Sequence, residues 1–241
     1  MPKLQAYSYT GPVDHTILAD KSKLKGKSVI VTGGANGMGE ECVHPNKAPV
    51  EPDLKIMGVN IDGTALTFKL AVHYFRKQPD SEDRDRCFIM TGSMTAFVDS
   101  PVSASFAQVL LSTDELQGNF EYTMSKYALR GLMRTARRTT WQQGIRINYV
   151  APPYVRSAIR TAEYEKYLTD NGVEFAEPED VASAMMRLAS DRTINGHSLM
   201  VVPRSVAKEG FIDAGQDDSD DRYLKSYQEL KVRIIKDHWV E

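Results

Sequence analysis

The five residues Tyr122-Thr123-Met124-Ser125-Lys126 place a phenol and an ammonium four positions apart, one helical turn and on one face. A cation beside a phenol favours the phenolate and brings its pKa from near 10 toward a range useful for proton transfer. A second pair with the same spacing, Tyr227 and Lys231, stands on a charged tail with no strand-end Ser upstream and reads as a solvated pair. Tyr122 differs because Ser93 leaves an apolar run, Cys87-Phe88-Ile89-Met90, shortly before it. The small residues Ser125 and Ala128 would let its helix lie close to a ligand. A third signal is Thr32-Gly33-Gly34-Ala35-Asn36-Gly37-Met38-Gly39, which follows the β-branched run Ser28-Val29-Ile30-Val31. Glycines at 33, 37 and 39 let a backbone approach a pyrophosphate at a helix N-terminus. No Lys follows the glycines, which argues against a loop that grips a terminal triphosphate.

These groups need elements to hold them. Ser28–Val31, Cys87–Met90, Ile145–Val150 and Ser198–Val202 read as four short buried strands. A brief helix is expected from Gly39 to Val43, cut off by Pro45, and His44 to Pro52 is a proline-rich connector. Apolar residues at Leu54, Met57, Ile61, Leu66, Leu70, Val72 and Phe75 predict a long helix from Asp53 to about Lys77, with Asn60 inside it. Tyr122, Leu129, Leu132, Met133 and Ala136 predict another, from Tyr122 to about Gln142. Glu177 to Ser190 opens with Glu-Pro-Glu-Asp, suited to a helix N-terminus. Strands alternating with helices imply an α/β fold with a parallel sheet covered on both faces. The acidic run Asp213 to Asp221 reads as solvated, and Tyr223, Tyr227, Leu230 and Ile234 as a helical stripe of a docking tail.

The 241 residues suffice for one large α/β domain, and the apolar (41%) and charged (26%) fractions exclude a disordered chain or a fibre. A formal charge of -2 leaves no basic surplus for nucleic acid. Two cysteines, Cys42 and Cys87, in no ligand spacing speak against a disulfide framework and a zinc site, so no metal is expected. No apolar stretch is long enough for a signal peptide or a membrane span, and a reducing cytoplasm is the default compartment.

Taken together, the glycine motif, Asn60 in Val-Asn-Ile-Asp-Gly, Ser93 at a strand end, Tyr122 with Lys126, and the segment Asn148 to Ser157 resemble the short-chain dehydrogenase/reductase family. Fungal dehydrogenases similar to 15-hydroxyprostaglandin dehydrogenase look nearest, because Asn195-Gly196 leads to Val201-Val202-Pro203-Arg204 and a tail. The resemblance implies a single Rossmann-like, doubly wound domain over 1–241, with a polar leader (1–25), an insertion (106–121) and a C-terminal tail (204–241). It implies a nicotinamide-dependent oxidoreductase interconverting a secondary alcohol and a ketone, with a small lipid- or polyketide-like substrate from secondary metabolism. Tyr122 would exchange the proton, Ser93 would hold the substrate oxygen, and Lys126 would lower the Tyr122 pKa and bind ribose hydroxyls. Asn60 would interrupt its helix, its carbonyl holding a water that relays protons from Lys126. Gly33, Asn36, Gly37, Met38, Gly39, Tyr122, Lys126, Pro152, Val155 and Ser157 would hold the cofactor, NAD favoured and NADP possible, since Ala35 and Asn36 offer no charge to a 2′-phosphate. Family analogy implies a homo-oligomer. Substrate contacts would come from loops and from Ala158 to Val173.

Two departures interrupt the match. About three strands and two helices, roughly 60 residues, are missing after the glycine motif, where His44 to Pro52 supplies nine. The lost strands include the one that normally separates the glycine-turn strand from the Ser93 strand, so those two either pair directly or stand apart around an open adenosine half. Residues 106–121 are inserted before Tyr122, a candidate lid. Both departures leave flanking family sequence undisturbed, as a skipped exon and a retained intron would. Pro153 also stands where the family usually has Gly. The competing readings are a truncated, non-catalytic homologue acting by association and a cofactor-independent lyase or isomerase using the Tyr122–Lys126 pair.

Overall fold

Alternation of side chains along extended segments lets each central strand feed two cores at once. In the computed structural model, which describes residues 13–14, 16–26, 30–32, 41–42, 54–81, 84–98, 117–118, 120–157, 160–218 and 222–236, this produces a five-stranded sheet. Its strands are β1 (Ile30–Thr32), β3 (Arg86–Thr91), β5 (Ile145–Ala151), β6 (Ser198–Val201) and β7 (Phe211–Asp213), in the order β1-β3-β5-β6-β7. The first four run parallel and β7 is antiparallel to β6. A separate two-stranded ladder joins β2 (Glu41–Cys42) to β4 (Gln117–Gly118).

On one face Phe88, Met90, Ile147 and Tyr149 meet Ala71, Phe75, Leu129 and Met133. These come from helices α2 (Gly63–Lys77) and α3 (Phe120–Ala136). On the other face Cys87, Ile89, Val150, Leu199 and Phe211 meet Ala184 and Leu188 of a later helix, Pro178–Ser190. Between these two lies α4 (Ala162–Asp170), which makes Pro178–Ser190 α5. Glu177 and Asp180 form the reciprocal capping box that starts α5, with Pro178 at the first position. The doubly wound parallel sheet expected from the sequence is therefore present. β1 pairs directly with β3, Ile30 opposite Phe88, which decides between the two arrangements that the missing strands left open.

Several expectations need correction. Glu41–Cys42 is a strand, where a short helix was expected, because it finds a ladder partner in Gln117–Gly118. The long helix runs through α1 (Lys55–Met57), a π-helical segment Gly58–Asp62 and α2. Its buried stripe is Ile56, Asn60, Thr64, Ala71 and Phe75, while Leu54, Leu66 and Leu70 are exposed, as are Val59 and Tyr74. The helix covers the sheet with one side only, so apolar residues outside that stripe face away from the core. The second long helix ends at Ala136 and is followed by a short 3₁₀ turn at Thr140–Gln143.

The acidic segment after β7 is also not the solvated run it looks like. Asp213 faces His197 at 2.8 Å and accepts the Val13 amide, Asp217 accepts from Arg130 at 3.0 Å, and Asp218 accepts from Arg137 and Arg138. Asp217 is 6% exposed. Arginines on α3 and just after it gather the carboxylates onto the domain. Beyond it, α6 (Arg222–Lys236) has Tyr223, Tyr227 and Leu230 exposed, and Lys231 sits 5.9 Å from the exposed Tyr227 ring.

Candidate active site

At the carboxyl end of the sheet, β3 and β5 stop together and are stitched past their last ladder rung. Gly92 donates to Val150 O at 2.7 Å and Met94 to Pro152 O at 3.0 Å. Between them, Ser93 is buried in an extended conformation, its hydroxyl accepting from Thr95 N at 3.2 Å. Tyr122 and Lys126 approach from α3. Lys126 is 4% exposed, its Nζ donates to Thr91 O at 3.2 Å and lies 5.2 Å from the Tyr122 ring centroid.

Asn60 joins this group from the neighbouring helix. Its Nδ2 donates to Ser125 Oγ at 2.9 Å, and Ser125 Oγ donates in turn to Tyr122 O at 2.7 Å. Asn60 is at the centre of the π-helical segment Gly58–Asp62, so the helix is wound loosely just where it meets the Tyr122 turn. Ser125 is fully buried in this contact, whereas Ala128 is exposed and does not face the site.

The electrostatics differ from the simple pairing of phenol and ammonium. Burial pushes the Tyr122 phenol up from its ordinary value, and the opposing influences are a hydrogen bond with the Ser93 side chain and the charge of Arg160. The Lys126 ammonium is not among these influences. Burial lowers Lys126 itself to about 8. Desolvation of the Tyr122 phenol thus outweighs the lowering influences of Ser93 and Arg160.

Two residues with roles here were not singled out from the sequence. Tyr149, fully buried on β5, accepts the Ser93 amide hydrogen at 3.1 Å and donates to Lys126 O at 3.1 Å. It pins the Ser93 strand end to the helix that carries Tyr122 and Lys126. Gly92 makes room for it: a Cβ there would lie 1.6 Å from Tyr149 Cζ. An isolated Tyr in an apolar run carries no signal of this bridge. Arg160 lies beyond β5 and stands near Tyr122 only through the tertiary fold.

Of the residues matched to cofactor binding, Pro152 and Val155 are partly buried and Ser157 is exposed, all on the segment leaving β5. Val155 is anchored by a parallel bridge to Ala176. Thr32 ends β1 beside β3, but Gly33, Asn36, Gly37, Met38 and Gly39 lie outside the described residues, as do 106–116 and 119 of the insertion. Among the described residues no cluster of three or more His, Cys, Asp or Glu suits a metal ion, and no helix is long and apolar enough to cross a membrane. A nicotinamide riboside fits this end of the sheet on one observation: the Lys126 ammonium has three N–H donors and, among the described residues, one protein acceptor, leaving two for ribose hydroxyls.

The model of a family described as enoyl-(acyl carrier protein) reductase matches residues 100–202. The 5'-hydroxyaverantin dehydrogenase of Dothistroma septosporum is 29% identical over 70% of this chain and 51% of its own length. A short chain dehydrogenase/reductase, astE, of Aspergillus oryzae is 25% identical over 76% of this chain and 70% of its own. The chain spans about half the length of the curated relatives it matches. Among solved structures, a 3-oxoacyl-(acyl-carrier protein) reductase from Brucella melitensis in complex with NAD superposes with a TM-score of 0.56 at 17% identity, covering 73% of this chain and 65% of that one. With its parallel sheet and its carboxyl-edge Ser, Tyr and Lys, the chain is similar to short-chain dehydrogenases/reductases over these segments and shares the fold of the solved structures it matches.

Proposed function

We propose that this chain is a nicotinamide-dependent dehydrogenase or reductase of a secondary alcohol or ketone. The observation that carries the reading is the convergence of Ser93, Tyr122 and the donor-rich Lys126 at one end of the sheet. In reduction, the Ser93 hydroxyl and the Tyr122 phenol bind the carbonyl oxygen, and Tyr122 gives it a proton as negative charge develops there. In oxidation the Tyr122 phenolate takes that proton back. Lys126 and Arg160 bear positive charge near the phenolate left behind, and Lys126 also binds ribose hydroxyls through its two spare donors. Asn60 holds Ser125 against the Tyr122 carbonyl and sets the angle of the reacting phenol, while its π-helical turn offers the outward proton path. Pro152, Val155 and Ser157 orient the carboxamide. When bound, NAD(P) supplies the hydride acceptor or donor.

NAD is the preferred form, because Ala35 and Asn36 offer no cation to a 2′-phosphate. The relatives that act on fungal secondary metabolites support a polyketide-like substrate. The exposed apolar residues Leu66, Leu70 and Tyr74 on α2 and Met124 and Tyr127 on α3 support a homo-oligomer. A second reading, a non-catalytic homologue that acts by association through these same helices, is favoured by the direct β1–β3 pairing, which leaves no place for a strand between them.

Titration of the purified chain with NADH and NADPH, read by nicotinamide fluorescence and thermal stability, tests the reading. Saturable, stabilising binding together with loss of turnover in Tyr122→Phe supports the dehydrogenase. A folded chain that binds neither nucleotide rejects it in favour of association.

A further inference from the structure

Among the described residues, most partly or fully buried arginines of this fold are matched by carboxylates. Arg86 pairs with Asp80, Arg130 with Asp217, Arg137 with Asp218, Arg146 with Asp85 and Arg187 with Asp191. Arg160, half-buried on the segment that follows β5, pairs with no carboxylate among the described residues. Its Nη1 donates to Val155 O at 2.6 Å, and its guanidinium lies 5.6 Å from the Tyr154 ring centroid and 5.8 Å from that of Phe175.

The contrast with its neighbour is informative. Arg156 shares the Phe175 ring, at 5.1 Å, but its charge is met by Glu177 at 3.0 Å and Glu165 at 3.8 Å. Two guanidiniums therefore flank one aromatic ring and only one is neutralised. Partly desolvating a guanidinium without an anion is costly, and the aromatic contacts offset only part of that cost. A planar fork held by one backbone carbonyl keeps donors free for bidentate capture of a carboxylate. The charge of Arg160 also reaches the phenols of Tyr122 and Tyr164, so the guanidinium lies near the reacting end of the site.

We infer that Arg160, over the rings of Tyr154 and Phe175, forms an anion subsite that takes a carboxylate of the substrate beside the carbonyl held by Ser93 and Tyr122. The substrate class is then a keto acid or hydroxy acid, or a polyketide carrying an acidic oxygen near the reacting carbon. The dinucleotide pyrophosphate is the other source of anionic oxygen. The sheet order favours the substrate: the glycine motif follows β1, whereas Arg160 follows β5, with β3 between them. The subsite's part in turnover rests on the dehydrogenase reading, but its anion preference does not.

The test compares acetoacetate with its neutral amide, acetoacetamide, by calorimetric titration of the full chain without NADH and with saturating NADH. Arg160→Gln and Arg160→Lys are titrated alongside, with thermal midpoints verifying that both fold. The wild-type chain is expected to bind acetoacetate roughly tenfold to a hundredfold tighter than the amide. Arg160→Gln should bind the two equally, Arg160→Lys should keep part of the preference, and NADH affinity should be unchanged in both. A wild-type chain with no preference, or a preference that survives Arg160→Gln, overturns the inference. So does a loss of NADH affinity in Arg160→Gln with the acetoacetate preference intact, which gives the guanidinium to the dinucleotide. If the wild-type chain binds no NADH yet prefers acetoacetate, the subsite stands and the dehydrogenase reading fails.

Discussion

Replacing Tyr149 by Phe removes one oxygen and leaves the buried ring, so it isolates the bridge between Ser93 and α3. The ring keeps its place among Phe88, Met90 and Met133 and its edge contact with Phe97, at 6.1 Å between centroids. What is lost is the acceptor for the Ser93 amide and a donor to the Lys126 carbonyl. The carbonyl remains inside α3, whereas the Ser93 amide is left buried without an acceptor. One orphaned donor costs about 1–3 kcal/mol. For a chain of this size each kcal/mol corresponds to about 2–4 °C, so the thermal midpoint should fall by roughly 2–12 °C. Ser93 would also lose its register with Tyr122, and small misplacements of a positioning group cost large factors in rate, so turnover should fall roughly tenfold or more. NADH affinity should change less, because Tyr149 touches neither Pro152 nor the Lys126 ammonium through this bridge. Urea denaturation, differential scanning fluorimetry and steady-state kinetics on Tyr149→Phe measure these effects. A variant with unchanged midpoint and unchanged turnover refutes the argument that this phenol ties the two halves of the site together.

The remaining predictions concern single groups. Because burial lowers Lys126 to about 8 from an ordinary 10.5, the unfolded chain binds more protons in that window, and this residue's destabilisation is full below pH 8 and relieved as pH rises toward 10.5. Lys126→Met should therefore raise stability at pH 7, by an amount on the order of 1–3 kcal/mol, while abolishing turnover. An equal stability difference at pH 7 and pH 10 would contradict this. Asp85→Ala strands the guanidinium of Arg146, which is 0% exposed and donates to Asp85 at 2.7 and 2.8 Å, and should cost about 3–5 kcal/mol by urea denaturation. Glu121 is fully buried and, among the described residues, neither carboxylate oxygen has a hydrogen-bond partner, so Glu121→Gln should raise the thermal midpoint, and a lower midpoint would show that the carboxylate has a role the fold needs. Leu70→Arg with Tyr127→Glu, both on the exposed face of α2 and α3, should convert an oligomer to monomer in light scattering, and no change in mass would remove that face as the interface.

Local pattern was enough for the parallel strands and most of the helices. Short β-branched or apolar runs can be satisfied only by burial on both faces, and Glu-Pro-Glu-Asp can only start a helix well. Ser93, Tyr122 and Lys126 stood out as candidates because the proposed chemistry needs those residue types at fixed places on a strand end and a helix turn. Asn60 stood out by its motif, and it lies in the π-helical segment Gly58–Asp62. Tertiary structure alone decided that β1 pairs with β3, since the alternatives differ in long-range contacts that no local sequence encodes. It also decided which apolar residues of α2 face the sheet, because one helix period cannot distinguish a core stripe from a stripe awaiting a partner. The acidic run after β7 looked solvated because each carboxylate is hydrophilic in isolation. Arg130, Arg137 and Arg138, some 80 residues earlier in the chain, make it part of the fold. Arg160 and Tyr149 likewise enter the site only through distance in space, where a lone charge or phenol gains its meaning from neighbours the chain brings from elsewhere.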